Sequence, residues 1–251
     1  MILTRDKAFV TVFSLITVTD KEKNQSSIGT GTFICKSEDE LYLVTASHVA
    51  GTTNDTTKII FSDPNNKCLA FDLTEFNKNL TWKHHNTADL AVMKIHLTGN
   101  LSQILKNHFL PLNHINLEQK CVSRDIELTT IGFPCGLGMQ TNFSPLTFRS
   151  YSASSFISIG RGQNQVQSEV FCLENPSVGG YSGAPVFDLG YSFVNGQISI
   201  YGQKTICHGF ISATLGDQTG GKIALVTPAY YLLDLLNDEN EYEVKEAIGE
   251  A

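Results

Sequence analysis

The sequence predicts an all-β protein built from two barrel-like units of similar size and closed by one helix. Short apolar runs rich in β-branched and aromatic residues recur along the chain, as in LYLVTAS, LAVMKIHL and HGFISATL, and turn residues separate them. Alternating patterning at this density is typical of a β-barrel or sandwich. A polar segment, LTGNLSQILKNHFLPLNHINLEQK, divides the strands into two groups.

Only two stretches look helical, NLSQILKNHF inside the dividing segment and PAYYLLDLLND near the end, where Pro228 suits the start of a helix. The expected organisation is a first β-unit in residues 1–100, a linker in 101–120, a second β-unit in 121–227, a helix in 228–238 and an acidic tail in 239–251.

Composition narrows the functional classes. The 251 residues are 41% hydrophobic and 17% charged, which is typical of a globular protein. The net charge of −7 and the absence of a Lys/Arg run exclude nucleic acid as an expected partner. No run reaches the roughly 18 apolar residues of a membrane span, so no membrane partner is expected. The alternation from Val10 to Val18 favours a strand over a signal peptide.

Six cysteines are widely spaced and form no CxxC pair. An even number allows a disulfide framework, but without a targeting signal free thiols are the better interpretation. A zinc site built from Cys207, His208 and two further cysteines is a less favoured alternative.

The stretch NPSVGGYSGAP contains the first candidate catalytic residue, Ser182. Glycine and serine also fill ordinary turns, because glycine tolerates a positive φ. The alternative is that Gly180 and Gly183 fold the backbone tightly around a nucleophile, so that N–H groups converge on one oxygen atom.

Two more motifs follow the same pattern of a polar residue at the edge of an apolar strand. LYLVTASHVAG surrounds His48 with small residues, and NTADLAVMKI has Asp89 just before a strand. A surface histidine and a turn-capping aspartate are the ordinary interpretations. A buried aspartate, however, needs a partner, and an imidazole N–H is a suitable one. The sequence thus supplies His, Asp and Ser, in that order.

These three motifs resemble those of the trypsin-like serine proteases, and the similarity extends from about residue 8 to residue 236. TASHVAG is similar to the histidine motif, ADLAVMKI to the aspartate motif and GGYSGAPV to the nucleophile motif. GTGTFI and IGFPCG are similar to segments of the bacterial and intracellular branch, which includes HtrA-type and glutamyl-endopeptidase-type enzymes. The resemblance implies a chymotrypsin-like fold of two antiparallel six-stranded β-barrels with a C-terminal helix.

The resemblance also implies a reaction. Ser182 would be the nucleophile that forms an acyl-enzyme, His48 the general base, and Asp89 the group that orients His48. The N–H groups of Gly180 and Ser182 would form the oxyanion hole. A protein or peptide would be the substrate, and no metal or cofactor would be needed. A pseudoprotease that uses the same fold to bind a partner is the alternative function.

Two departures from the family bear on regulation. Digestive relatives carry an aspartate where this chain has Tyr181, and that aspartate pairs with a new N-terminus on activation. We therefore expect activity that is constitutive or controlled by an activating partner protein. The absence of a cysteine soon after His48 favours a reducing, cytoplasmic location, and no PDZ domain is expected after residue 236.

The resemblance locates the substrate pocket between the segment before Ser182 and two later strands. None of the expected pocket residues is charged, whereas Arg or Lys specificity requires a carboxylate. Glu174 lies too far upstream, and alternation does not clearly direct His208 inward. We expect cleavage after an uncharged residue of small to medium size. The expected pocket residues are Pro176, Ser212, Ala213, Thr214 and Ala224.

Overall fold

The computed structural model describes residues 2–20, 25–161 and 166–237. They form two main sheets, mostly antiparallel, in a chymotrypsin-like two-barrel fold, which confirms the predicted fold class. The first sheet has eight strands in the order β5-β4-β1-β2-β3-β7-β6, and β8 pairs with β2 in parallel. Its strands are β1 (Val12–Asp20), β2 (Gln25–Ser37), β3 (Glu40–Thr45), β4 (Lys58–Ser62), β5 (Cys68–Asp72), β6 (Lys83–His84), β7 (Ala91–Ile95) and β8 (Leu110–Pro111).

The second sheet has seven strands in the order β10-β9-β13-β16-β17-β12-β11. A separate hairpin, β14–β15, connects β13 to β16. The strands after the linker are β9 (Leu128–Gly132), β10 (Leu146–Ser150), β11 (Ile157–Arg161), β12 (Val166–Leu173), β13 (Pro185–Asp188), β14 (Tyr191–Val194), β15 (Gln197–Ile200), β16 (Ile206–Gly216) and β17 (Lys222–Pro228).

The helices are short and more numerous than the sequence indicated. Among the described residues four are α-helical, α1 (Arg5–Phe9), α2 (Ser47–Ala50), α3 (Asn100–Ile104) and α4 (Leu232–Leu236). Single 3₁₀ turns cover Leu73–Glu75, Leu112–His114, Pro134–Gly136 and Ala229–Tyr231.

The N-terminal strand starts later than its apolar pattern indicates. Thr4 caps α1 by accepting a hydrogen bond from the N–H of Lys7, and Ala8 is buried within this helix. The cap therefore makes the start of the run AFVTVFSLITV helical. At the other end, the helical residues are 229–236, and the predicted acidic tail, 239–251, lies outside the described residues.

The two sheets share one large apolar core. Phe33 of β2 is fully buried in the same cluster as Phe187 of β13 and Phe210 of β16, and Leu235 of α4 joins it. Phe33 also packs on Phe13, with 4.8 Å between the two ring centroids. Because side chains of both sheets belong to this one cluster, it packs the two barrels against each other.

All six cysteines lie within the described residues, and none of them forms a disulfide. Among the helices of residues 2–20, 25–161 and 166–237, none has the length and hydropathy needed to cross a membrane.

Candidate active site

His48 and Asp89 meet because their strands are neighbours in the first sheet. Strands β3 and β7 are antiparallel, with Thr45 opposite Ala91, so the end of one lies beside the start of the other. Asp89 Oδ2 accepts a hydrogen bond from His48 Nδ1 at 2.8 Å, and Oδ1 accepts one from the His48 backbone N–H at 3.0 Å. The Asp89 side chain is 2% exposed and that of His48 is 50% exposed. One carboxylate thus fixes both the ring and the backbone of His48.

The loop before Asp89 is held by a second histidine. His85 Nδ1 accepts hydrogen bonds from the N–H groups of Thr87 (3.1 Å) and Ala88 (2.9 Å). Since this nitrogen accepts, Nε2 carries the ring proton and donates it to Asp234 of α4 at 2.9 Å. Helix α4 is therefore linked to the loop that carries Asp89.

Ser182 lies in a turn whose backbone only glycine permits. Gly180 has φ +96° and Gly183 has φ +85°. A Cβ at Gly180 would lie 2.3 Å from the Phe133 carbonyl oxygen, and one at Gly183 would lie 2.1 Å from the Thr30 carbonyl oxygen. The two glycines therefore permit both the left-handed turn and its close approach to the first barrel.

Gly183 also brings the turn to the histidine segment. A Cβ at Gly183 would lie 2.3 Å from Thr45 Oγ1 and 2.9 Å from the N atom of Ala46, two residues before His48. The serine and histidine motifs, which come from different barrels, are therefore in contact through their backbones.

Three backbone N–H groups of the turn have no acceptor among the described residues, that of Gly179 and those of the two expected oxyanion donors, Gly180 and Ser182. The carbonyl in the peptide unit of each of these two donors is held, because Gly179 accepts from the Cys135 N–H at 2.7 Å and Tyr181 accepts from the Ala184 N–H at 2.8 Å. In a trans peptide the N–H points away from the C=O. The N–H groups of Gly180 and Ser182 are thus fixed in direction and available to an oxygen atom outside the chain.

The expected contact between Ser182 and His48 is not formed as a hydrogen bond. Within the described part of the chain, neither Ser182 Oγ nor His48 Nε2 has a hydrogen-bond partner. Both are accessible, since Ser182 is half-buried and His48 is exposed. Catalytic hydrogen bonds are often long without substrate and shorten when it binds.

This arrangement agrees with the comparison of the chain with known families. The trypsin-like peptidase domain model matches residues 29–194, about two thirds of the chain, and includes all three motifs. The chain belongs to the trypsin-like peptidase family. A search of curated proteins found no match.

Solved structures of other peptidases share the fold. The Rv3671c protease from M. tuberculosis, in its active form, aligns with TM-score 0.59 and 17% identity over 92% of this chain and 81% of its own. The thermostable serine protease AL20 from an extremophilic microorganism aligns with TM-score 0.51 and 11% identity, covering 92% of this chain and 100% of its own. The HtrA-type protease AlgW with a decapeptide aligns with TM-score 0.54 and 16% identity, covering 93% of this chain and 66% of its own.

Tyr181 shows what this trypsin-like peptidase has in place of an acidic residue before the serine. Its ring is 1% exposed, and its hydroxyl donates to the Leu146 carbonyl at 3.1 Å. Burial raises the pKa of this phenol, so the side chain stays neutral. The position is therefore occupied by an uncharged, hydrogen-bonded group.

Two of the five expected pocket residues line one small cavity. Pro176 and Ala224 surround a space of about 10 Å³, which is about the volume needed for one water. The cavity wall carries no charged side chain. The other lining residues are Thr130, Phe148, Ser150, Leu173, Asn175, Ser177, Tyr181 and Ile211.

The remaining three expected pocket residues, Ser212, Ala213 and Thr214, do not line this cavity. Ser212 Oγ donates to the Leu225 carbonyl at 3.2 Å within the sheet, and Thr214 Oγ1 donates to the Ser177 carbonyl at 3.3 Å. Thr214 therefore ties β16 to the segment that precedes Ser182.

His208 and Glu174 lie away from this cavity. His208 lines a separate cleft of about 600 Å³ beneath the linker, where Asn116 contacts it. Burial lowers the pKa of His208 to about 4, against the opposing effect of Asp188. Glu174 is exposed. Within the described residues no three His, Cys, Asp or Glu side chains cluster as metal ligands, Cys207 and His208 included.

Thr30 is a residue of the site that its motif, GTGTFI, did not reveal in the sequence, where the motif served only as a family feature. The Thr30 N–H donates to the Ser182 carbonyl at 2.9 Å, and its hydroxyl donates to the Gly180 carbonyl at 2.7 Å. The available signal was a polar residue between two glycines in a strand that is otherwise apolar.

Proposed function

We propose that the chain is a serine endopeptidase that cleaves peptide bonds through an acyl-enzyme. The observation that carries the proposal is the buried Asp89 carboxylate, which holds both the ring and the backbone of His48 beside a turn with two available N–H groups. Substrate is a protein or peptide.

In the first half of the reaction, Ser182 Oγ attacks the carbonyl carbon of the scissile bond while His48 Nε2 takes its proton. The tetrahedral intermediate collapses, the C–N bond breaks, and His48 gives the proton to the departing amine. In the second half, water attacks the ester, gives its proton to His48, and the serine hydroxyl is restored. Asp89 keeps the proton of the neutral ring on Nδ1 and stabilises the imidazolium.

The oxyanion of both intermediates would receive hydrogen bonds from the N–H groups of Gly180 and Ser182. Groups fixed in advance stabilise the negative charge without reorganising during the reaction. Loss of one such donor lowers kcat by about 10²–10³ in the family of enzymes where it has been measured.

The absence of a carboxylate at Tyr181 favours activity that needs no new N-terminus. We propose that activity is constitutive or controlled by an activating partner protein. The six unpaired cysteines support a proposed cytoplasmic role in processing or as an effector.

Active-site labelling distinguishes the peptidase from the pseudoprotease alternative. A fluorophosphonate should label wild type on Ser182, as located by mass spectrometry, and should not label Ser182→Ala. Ser192→Ala, on the β14–β15 hairpin, is the matched control and should label like wild type. Unlabelled wild type would favour the binding function, and a label on another residue would contradict the assignment of the nucleophile.

Substrate selection is expected to follow the uncharged cavity. Pro176 and Ala224 contribute apolar surface and no carboxylate, so a buried Arg or Lys would lack a partner there. We expect a peptide library to show cleavage after small to medium uncharged residues. A tenfold or greater preference for Arg or Lys would show that another surface is the pocket.

A further inference from the structure

We propose that Thr30, a residue of the first barrel, positions the oxyanion hole of the second barrel. This inference rests on the proposed peptidase function and assigns the Thr30 hydroxyl a role in catalysis that acts through Gly180. It concerns a side chain that does not touch the substrate, so Thr30 is a positioning residue.

The Thr30 hydroxyl connects two segments of the second barrel. Its proton goes to the Gly180 carbonyl at 2.7 Å, and its oxygen accepts the Phe133 N–H at 3.1 Å. Thr30 is fully buried, so water does not replace either contact. One hydroxyl thus acts as donor and acceptor at the same time.

These contacts complete the support of the Gly180 peptide units. The unit before Gly180 is held through the Gly179 carbonyl by Cys135, and the unit after it is held through the Gly180 carbonyl by Thr30. Cys135 belongs to the same 3₁₀ turn that follows Phe133. Both supports of Gly180 therefore depend on one segment, which the Thr30 hydroxyl binds at Phe133.

The backbone of Thr30 is itself fixed at the barrel interface. Its N–H donates to the Ser182 carbonyl at 2.9 Å, and its carbonyl accepts from Thr45 Oγ1 at 2.6 Å. Gly132 makes room for the hydroxyl, since a Cβ there would lie 2.8 Å from Thr30 Oγ1. A side chain held this firmly defines where the Gly180 carbonyl lies.

Removing the hydroxyl leaves two buried groups, the Gly180 carbonyl and the Phe133 N–H, without this partner. Buried polar groups without partners are unfavourable, so the local backbone is expected to move until they find new ones. The glycine at position 180 offers little resistance to rotation. The Gly180 N–H would then leave the direction that the oxyanion requires.

Thr32, two residues further along β2, provides a matched control. It is fully buried like Thr30, but its hydroxyl has no hydrogen-bond partner among the described residues. A valine in either position preserves the shape of the side chain. Only the Thr30 substitution removes the hydroxyl's hydrogen bonds to Gly180 and Phe133.

The test measures the second-order rate of labelling by a fluorophosphonate, whose phosphoryl oxygen enters the oxyanion hole. We expect Thr30→Val to label ~10–100-fold more slowly than wild type, somewhat less than the loss of a whole donor. Thr30→Ser, which keeps the hydroxyl, should label within about threefold of the wild-type rate. Thr32→Val should label at the wild-type rate. Thermal unfolding verifies that each variant is folded, and Thr30→Ala replaces Thr30→Val if the latter is not.

A crystal structure of the valine variant supplies a readout that does not depend on activity. We expect the Gly179–Gly180 peptide to be rotated relative to wild type. Three results would overturn the inference while Ser182 remained the labelled residue. These are a folded Thr30→Val that labels at the wild-type rate, a Thr30→Ser that labels as slowly as Thr30→Val, or a Gly179–Gly180 peptide that has not moved. Unlabelled wild type would instead remove the peptidase function itself.

Discussion

Ser182→Ala and His48→Ala are each expected to lower kcat/KM by about a million-fold, and the double variant should lose little more. The two side chains act in one proton transfer, so once either is absent the other has no role. The residual rate would come from substrate binding and the N–H groups of the turn, which neither change removes. The measurement is hydrolysis of a peptide chosen from the library, followed at substrate concentrations well below KM.

The control for this cycle is the folded state of each variant, because His48 is half exposed and Ser182 half buried, and neither packs the core. Circular dichroism and thermal unfolding should therefore match wild type. Losses that multiply in the double variant would mean that the two residues act independently, contrary to a shared triad.

Asp89→Asn is expected to lower kcat by about 10⁴, the size of the effect in the best-studied member of the family. An asparagine can still accept the His48 backbone N–H through its oxygen, so the loop should keep its shape. Its amide group, however, would face His48 Nδ1 with a donor, which places the ring proton on Nε2. His48 would then be unable to accept the serine proton.

Asp63→Asn is the matched control for this change. Asp63 also accepts backbone N–H groups through one oxygen, from Asn65 and Lys67, in a loop of the first barrel. It should keep wild-type kcat. If kcat of Asp89→Asn were within tenfold of wild type, the carboxylate would not determine which nitrogen of His48 carries the proton.

The sequence was sufficient to identify His48 and Asp89 because each lies in a recognisable local motif. The apolar runs of β3 and β7 identify two strands, and a buried aspartate before one of them needs a donor such as His48. The resemblance brought the two motifs together, and the structure pairs the strands. The positions of glycines around Ser182 likewise reflect a backbone with positive φ. In both cases each motif is local, although His48 and Asp89 are themselves 41 residues apart in the chain.

Contacts between the two barrels could not be predicted from the sequence. The role of Thr30 depends on how β2 docks against Gly180 and Phe133, which are more than 100 residues away in the chain. No local pattern encodes that approach. A threonine between glycines in an apolar strand fits a buried strand equally well.

The expected pocket residues on β16 lie at a bulge that the sequence did not reveal. Strands β16 and β17 shift register between Ile211 and Ala213, so Ser212 is the additional residue of a bulge. A bulge interrupts the alternation of side chains and changes which ones face a given side. The family resemblance placed Ser212, Ala213 and Thr214 together on one wall of the pocket, and it carries no information about this bulge.

The division of the site between two barrels sets when it can exist during synthesis. His48 and Asp89 come from the first barrel and are translated early, whereas Ser182 follows Asp89 by 93 residues. At the usual ribosomal speed of about 5–20 residues per second, Ser182 emerges roughly 5–20 s after Asp89. The strands that pair behind it, β16 and β17, emerge later still. The nascent chain therefore cannot complete the proposed site before β16 and β17 have been synthesised.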